Sequence, residues 1–170
     1  MTIALRRYDA GSLPADHAQL LIDVHADAYQ DQADDPFVQR FPWFVTHWTS
    51  LPGYSCVVAY DADEPIGYSY GAPQEDGREW WRRHMPAPDS ASTFAVSEVM
   101  VRPRWRKLGI AEQTHEALLA ERHERLAVLY VDVTHPRVQA MCERWAYTKV
   151  GEHRPFEDAP LYAVMVRDLR

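Results

Sequence analysis

The chain has few of the residues that build disulfide or metal frameworks. It contains only two cysteines, Cys56 and Cys142, and they lie far apart in the sequence. This excludes a disulfide framework and a zinc-type cysteine pattern, and it fits a reducing compartment. His115 and Glu116 begin the zinc-protease pattern His-Glu-x-x-His, but position 119 is Leu. We therefore expect no metal site.

Long apolar runs are also missing. No segment approaches the roughly 18 apolar residues needed to cross a bilayer, and the first residues lack the apolar core of a signal peptide. We find no internal repeat and no low-complexity tract. These absences predict a cytoplasmic protein without a membrane partner.

Positive charge is in the minority, with 18 Lys and Arg against 25 Asp and Glu and a formal net charge of -7. An acidic surface repels phosphates, so a general nucleic-acid-binding function is disfavoured and we expect no nucleic-acid partner. The same balance could favour a cationic substrate such as an amine.

What the chain does have is enough apolar material for one folded domain over residues 1–170, since 46% of its residues are hydrophobic. Periodicity predicts seven strands at 2–8, 54–61, 66–72, 93–101, 126–133, 148–154 and 161–168, and helices at 16–29, 36–49, 109–122 and 135–147. This order predicts a mixed α/β (α+β) fold with helices on both faces of the sheet. Pro42 predicts a break in the second helix. Residues 73–92 are predicted to form a long loop or short helix, a candidate substrate lid.

The segment that points to chemistry is 99–111. A strand delivers the chain to a short turn with four basic residues, and Gly109 then opens a helix. The first amides of a helix have no internal partner and lie at its positive end, so they favour a phosphate. Glycine lets a phosphate approach the backbone closely. The alternative is a solvated basic turn that caps a helix.

The residues Arg106-Lys107-Leu108-Gly109-Ile110-Ala111 resemble the signature Arg/Gln-x-x-Gly-x-Gly/Ala of the GNAT acetyltransferases, and Val101-x-Pro103 precedes it at the usual distance. Residues 134–147 look like the family's Asn-x-x-Ala-x-x-x-Tyr-x-x-x-Gly-Phe/Tyr segment. The tail, 150–169, resembles the closing hairpin of an actinobacterial-type branch. Together these similarities cover roughly residues 54–170.

This resemblance implies a mostly antiparallel sheet with a V-shaped split between strands 93–101 and 126–133, where acetyl-CoA or another acyl-CoA binds as cosubstrate. It implies direct acyl transfer to an amine of a small molecule or peptide, without metal. The implied cofactor-binding residues are Val99, Met100 and Val101 for the pantetheine arm and Arg106, Lys107, Leu108, Gly109, Ile110 and Ala111 for the diphosphate. One alternative is a module of the same fold that binds acyl-CoA as a sensor or partner but has lost turnover. A toxin-type member that acylates charged tRNA is disfavoured by the acidic balance.

Three residues are candidates for catalysis. Cys142 stands where the family often has the Tyr that donates a proton to the leaving thiolate, and His135 stands where an Asn often contacts the cofactor. Glu98 precedes the cofactor segment, and apolar neighbours would raise its pKa toward that of a general base. The alternatives are a buried filler for Cys142, an exposed helix start for His135 and an ion-paired or solvent-facing side chain for Glu98.

Two further positions depart from the family pattern. Lys107 stands where Gly is common, which is tolerable if its backbone is not left-handed, and Ala146 replaces a Gly near the end of the last helix. The resemblance also suggests an aromatic acceptor pocket formed by Tyr29, Trp43, Tyr70, Trp80 and Trp81. Strand 161–168 is predicted to be exposed and could pair across a homodimer.

Overall fold

The computed structural model describes residues 1–75, 79–85 and 92–170, with the side chain of Trp80 outside that description. Its seven strands are β1 (Ile3–Asp9), β2 (Ser55–Asp61), β3 (Glu64–Pro73), β4 (Thr93–Val101), β5 (Leu126–Asp132), β6 (Thr148–His153) and β7 (Tyr162–Asp168). Its α-helices are α1 (His17–Ala28), α2 (Pro36–Gln39), α3 (Phe41–Thr49), α4 (Ile110–Ala120) and α5 (Pro136–Arg144). None of these helices is long and apolar enough to span a membrane.

The strands form one sheet in the order β1-β2-β3-β4-β5-β7-β6. Strand β4 pairs with β5 in parallel, over Thr93–Ala95 and Leu126–Val128. The pairs β1–β2, β2–β3, β5–β7 and β6–β7 are antiparallel. Strands β3 and β4 also run antiparallel, because the backbone amide of Arg102 donates to the Ile66 carbonyl and the backbone amide of Gln74 donates to the Thr93 carbonyl. The predicted mixed, mostly antiparallel sheet is confirmed.

The chain divides into two compact units. One comprises Met1–Ala72 and Glu98–Arg122, and the other comprises Pro73–Ser97 and His123–Arg170. Strand β4 passes from the second unit into the first. The assignment of residues 1–170 to a single domain stays a prediction.

In the first unit, alternation along the strands divides the apolar side chains between two helical layers. Cys56, Val58 and Tyr60 of β2 face the same core as Leu21 of α1 and Val45 of α3. The other face forms a second core with the start of α4, built from Ala59, Ile66, Val101, Trp105 and Ile110. Within this unit the prediction of helices on both faces is therefore confirmed.

The predicted helix 36–49 is broken, but the break precedes Pro42. Asp35 caps α2 by accepting a hydrogen bond from the Phe37 amide at 2.8 Å. Helix α2 ends after a single turn at Arg40, and Pro42 occupies the second position of α3. A proline is well tolerated there because the first-turn amides have no helical partner. Pro42 therefore begins a new helix.

In the second unit, β7 is an interior strand. It pairs with β5 along all seven of its residues and with β6 on its other side. The prediction that strand 161–168 is exposed and free to pair across a dimer is wrong, because both of its edges already carry hydrogen bonds. A homodimer stays a prediction, but this strand no longer supports it.

Part of the predicted lid lies outside the described residues, namely 76–78 and 86–91. Within the described part, Trp80–Arg83 forms a short 3-10 helix, and Glu79 and Arg82 form an ion pair beside it. The lid function stays a prediction.

This 3-10 segment packs closely against β6. A Cβ added to Gly151 would lie 2.2 Å from Nδ1 of His84. We expect Gly151→Ala to lower the free energy of unfolding by about 1–3 kcal/mol, as overpacking commonly does. In a Gly151→Ala/His84→Ala double variant most of that cost should disappear, measured by urea unfolding as a double-mutant cycle. An equal cost with and without the His84 ring would contradict this packing.

Candidate active site

The basic turn after β4 is anchored by an aromatic side chain. A 3-10 helix covers Pro103–Trp105, and the buried Trp105 ring packs in the core formed with Val101 and Ile110. The Trp105 Nε1 donates to Asp61 at 3.3 Å. The next four residues, 106–109, are all exposed. The turn is thus fixed at its base and open to solvent at its tip.

Helix α4 begins at this exposed tip without a side-chain cap. Its N-cap residue, Gly109, has φ +80° and makes no capping side-chain hydrogen bond. The Gly109 carbonyl accepts the first helical hydrogen bond, from the Gln113 amide at 3.0 Å. The amides of residues 110–112 therefore have no helical acceptor, and the positive end of the helix dipole faces outward with them. Such an end is suited to binding a phosphate.

Lys107, two residues before Gly109, also has a left-handed backbone, with φ +65°. The sequence analysis expected a lysine to be tolerable here only if its backbone was not left-handed. The structure does not meet this condition. A residue with a Cβ costs roughly 1–2 kcal/mol in this region. Ala146, at the end of α5, has φ +71° and is strained in the same way.

Gly67 on β3 holds this segment from beneath. A Cβ at Gly67 would lie 2.8 Å from the Met100 carbonyl oxygen and 3.3 Å from side-chain atoms of Ile110 and Val101. Only a residue without a side chain lets β3 approach the cofactor segment this closely. Sequence reasoning missed this position, although a lone glycine among β-prone residues is a signal of close backbone approach.

Two arginines of the basic turn reach back to the C-terminal end of α1. Arg102 forms an ion pair with Asp27 at 3.2 Å and donates to the Pro65 carbonyl at 2.8 Å. Arg106 donates to the Ala28 carbonyl at 3.4 Å. The turn predicted to hold a diphosphate is therefore tied to the helix that ends beside Tyr29.

Glu98 lies on β4 and belongs to the first unit. Strand alternation places it on the same face as Met100, which packs in the core under α1 and α3. Burial raises the pKa of the Glu98 carboxyl to about 8, because a low-dielectric environment disfavours its charged form. A carboxyl with this pKa is suited to accept a proton from an amine near neutral pH.

The tyrosines around Glu98 are mostly buried. Tyr68 is fully buried and Tyr70 is 1% exposed, and their rings stack at 5.7 Å. Burial raises the pKa of Tyr68 well above its ordinary value, and the charge of Glu98 raises it further. Tyr68 and Tyr70 lie in the core that contains Met100, and Tyr29 packs against that core. The sequence analysis did not select Tyr68, although it shares a strand face with Tyr70.

A cavity of about 210 Å³ opens beside Tyr29. Its lining is mostly apolar and comes from α1, α2, the start of α3 and the residues between the first two helices, namely Ile22, His25, Ala26, Tyr29, Ala33, Val38, Gln39, Phe41 and Pro42. The His25 ring stacks on Phe41 at 3.7 Å, and burial lowers its pKa to about 4. The cavity is therefore lined without a charged histidine at neutral pH.

The other predicted acceptor residues lie elsewhere. Trp43 is 62% exposed and stacks on His47 at 5.7 Å. In the second unit, Trp81 is fully buried and its Nε1 donates to Thr93 at 3.0 Å. The Trp80 side chain lies outside the described residues. Core packing accounts for the position of Trp81 in this structure, so its acceptor role stays a prediction.

His135 and Cys142 both lie in the second unit. His135 precedes α5 with a mostly exposed ring, and its Nε2 is 3.8 Å from Asp132. Cys142 is 3% exposed, and burial raises the pKa of its thiol to about 11. Seven residues of helix separate the two by about 10 Å along the axis. At this pKa Cys142 is a weaker acid than an unperturbed thiol, whose pKa is about 8.5.

No group of three or more potential metal ligands occurs in the part of the chain that the structure describes.

Residues 19–147 match the sequence profile of the acetyltransferase (GNAT) family. The chain belongs to this family. A search of curated proteins finds no significant match. Among solved structures, the chain is similar to NAA60 from Arabidopsis thaliana in complex with acetyl-CoA, at 16% identity and TM-score 0.72, with 99% of each chain covered.

Two other structures show the same fold. PaiA N-acetyltransferase from Thermoplasma acidophilum in complex with coenzyme A is 10% identical, with a TM-score of 0.67 and 99% of each chain covered. Aminoglycoside 6'-acetyltransferase type Ii is 17% identical, with a TM-score of 0.69 and coverage of 98% of this chain and 97% of that chain. At such identities the likeness extends to the fold alone, which confirms the predicted GNAT architecture.

Two of the left-handed residues, Lys107 and Ala146, give a matched stability test. We expect Lys107→Gly and Ala146→Gly each to raise the free energy of unfolding by up to about 1 kcal/mol, because glycine removes the Cβ strain at some cost in chain entropy. Lys107→Arg, which keeps both charge and strain, should leave stability unchanged. Thermal and urea unfolding measure all three. A loss of stability in both glycine variants would contradict the left-handed conformations.

Proposed function

We propose that this protein transfers an acetyl group from acetyl-CoA directly to a primary amine of a small molecule or peptide. The observation that carries the proposal is the uncapped start of α4 at the tip of an exposed basic turn, within a chain of the GNAT family. Backbone groups of Val99, Met100 and Val101 would meet the pantetheine arm as a neighbouring strand would. Residues 106–111 would hold the diphosphate. The complexes of NAA60 with acetyl-CoA and of PaiA with coenzyme A support acyl-CoA as the cosubstrate.

The proposed reaction joins the amine nitrogen to the acetyl carbon and breaks the carbon–sulfur bond of the thioester. Glu98 accepts the proton that the nitrogen loses, and the departing thiolate takes up a proton. Cys142 or a water supplies the latter. The cosubstrate would enter the V-shaped split that the family resemblance implies between 93–101 and 126–133.

We expect the acceptor amine to bind on the side of α1 and α3. Tyr29 and Tyr70 stay in the proposed acceptor pocket, and the apolar cavity beside Tyr29 would take the hydrocarbon part of the amine. Trp43, Trp80, Trp81 and His135 remain proposed contacts. We also retain a cytoplasmic location and membership of an actinobacterial-type branch as predictions.

The second candidate is an acyl-CoA-binding module with little or no turnover. The burial of Cys142 and its raised pKa favour it, because they weaken the residue that replaces the usual proton donor. The two functions differ in one outcome. If acetyl-CoA binds but no amine in a broad panel releases CoA, the binding module replaces the enzyme.

Cosubstrate binding is tested by thermal unfolding with acetyl-CoA, with CoA and ATP as comparisons. A ligand at 100 times its dissociation constant adds about 2.7 kcal/mol to the free energy of unfolding. We expect that gain in the native protein and its loss in Gly109→Asp, which places a carboxylate among the free amides. Gly11→Asp is the matched control, since Gly11 has φ +90° and open space around it. It should share the backbone strain and keep the acetyl-CoA response. Equal responses in the two variants, or none in the native protein, would contradict the proposed site.

The role of Glu98 is tested by the pH dependence of kcat/KM for an amine whose own pKa lies well below that of Glu98. A base must be ionised, so the rate should rise with pH through an inflection near pH 8. Glu98→Gln should lower kcat/KM by about 10²–10⁴-fold and remove the inflection. Glu64→Gln, at an exposed carboxylate on β3, should change neither kcat/KM nor the inflection in its pH dependence. An unchanged inflection in Glu98→Gln would show that another group is the base.

Stability provides an independent check on the same residue. A carboxyl pKa that is higher in the folded than in the unfolded state means that folding binds a proton, so stability falls as pH rises from about 4.3 toward 8. Glu98→Gln should remove this loss of stability at high pH. Its melting temperature relative to that of the native protein should therefore be higher at pH 9 than at pH 4.

A further inference from the structure

The Tyr68 hydroxyl is a buried polar group without a hydrogen bond to any residue that the structure describes. Leaving such a group unpaired destabilises the folded state, so nearly all buried hydroxyls in native proteins have a partner. The partner of Tyr68 is therefore expected to lie outside the part of the chain that the structure describes. A bound molecule with a polar hydrogen meets that need.

The residues around the Tyr68 hydroxyl indicate which kind of molecule would bind to it. Tyr68 faces the core that Met100 shares with α1 and α3, and Glu98 lies two residues from Met100 on the same face of β4. The neighbouring strands are held close by the approach of Gly67 to the Met100 carbonyl. The Arg102 amide donates to the Ile66 carbonyl, and this antiparallel register places Tyr68 opposite Met100 and diagonal to Glu98. Glu98 and Tyr68 offer a carboxylate and a phenol oxygen within otherwise apolar walls.

A primary amine complements this pair, because its nitrogen carries several N–H donors and, when protonated, a positive charge. One N–H can point at the phenol oxygen while another faces the carboxylate. Tyr29, which lines the apolar cavity, also packs against the core that contains Tyr68. An amine whose hydrocarbon part occupies that cavity thus has its polar and apolar partners in one region of the first unit.

We propose that the Tyr68 hydroxyl accepts a hydrogen bond from the amino group of the acceptor and holds its nitrogen beside Glu98. This inference rests on the proposed function and assigns a substrate-binding residue to it. After Glu98 removes one proton, the hydrogen bond to Tyr68 keeps the nitrogen lone pair directed away from the phenol oxygen. The acceptor class is a primary amine with an aromatic or aliphatic group that is not itself charged.

The test compares Tyr68→Phe with Tyr54→Phe. The Tyr54 hydroxyl is also buried, but it already bonds to His17 Nε2 at 2.8 Å. Removing it should therefore lower the midpoint of urea unfolding and leave amine binding unchanged. Removing the Tyr68 hydroxyl should leave stability unchanged or slightly higher, because no protein hydrogen bond is lost. A purely structural tyrosine at 68 would affect neither amine binding nor KM.

The direct measurement is calorimetric titration of benzylamine into protein saturated with CoA, a complex that cannot react. We expect binding to the native protein and to Tyr54→Phe, at least tenfold weaker binding to Tyr68→Phe, and much weaker binding of benzyl alcohol to all three. In turnover with acetyl-CoA, the same loss should appear in the KM for benzylamine, with the KM for acetyl-CoA unchanged.

The outcomes separate this inference from the proposed function. Equal benzylamine affinity in the native protein and Tyr68→Phe, or no benzylamine binding at all, overturns the role of Tyr68 even if acetyl-CoA raises the melting temperature and other amines react. Benzylamine binding that depends on Tyr68, without CoA release from any amine, supports the amine site and overturns the transferase function.

Discussion

The proposed function of this protein depends on the unpaired backbone amides in the first turn of α4. Three amides at the start of a helix must find acceptors outside the helix, and here the N-cap residue, Gly109, has no side chain that could supply one. Gly109 adopts a left-handed conformation that turns the chain sharply into the helix. A solvent-exposed helix start of this kind is satisfied by water or by an anion, and the basic residues before it favour the anion.

The rest of the first unit fixes that helix start in place. Gly67 lets β3 lie directly beneath the strand that leads into the turn, and Arg102 ties the turn to β3 and α1. At the other end of α4, Arg7 from β1 donates hydrogen bonds to the carbonyls of Ala117 and Leu118, where the helix would otherwise end unpaired. The helix is thus held at both ends, and only its first amides stay available. Such rigid support favours a binding site over a flexible loop.

Much of this could be predicted from the sequence because it is local. Alternation and helical periodicity predict the seven strands, and the glycine after a basic turn predicts the helix start. The errors concern properties that distant parts of the chain decide. The sequence predicts an exposed strand at 161–168, but this strand lies between β5 and β6. The prediction failed because periodicity does not reveal which strands are neighbours. The pKa of Cys142 depends on burial that its own helix does not determine. Tyr68 looks like any β-strand tyrosine until the lack of a partner for its hydroxyl is visible.

The most direct test of the central claim is amide hydrogen exchange across residues 106–113, with and without saturating acetyl-CoA. The account predicts that the ligand slows exchange at the amides of residues 110–112, because they donate to the diphosphate, while the amide of Gly11 is unaffected. Unchanged exchange at these amides in a complex shown to be saturated would contradict the claim that the start of α4 binds the cosubstrate.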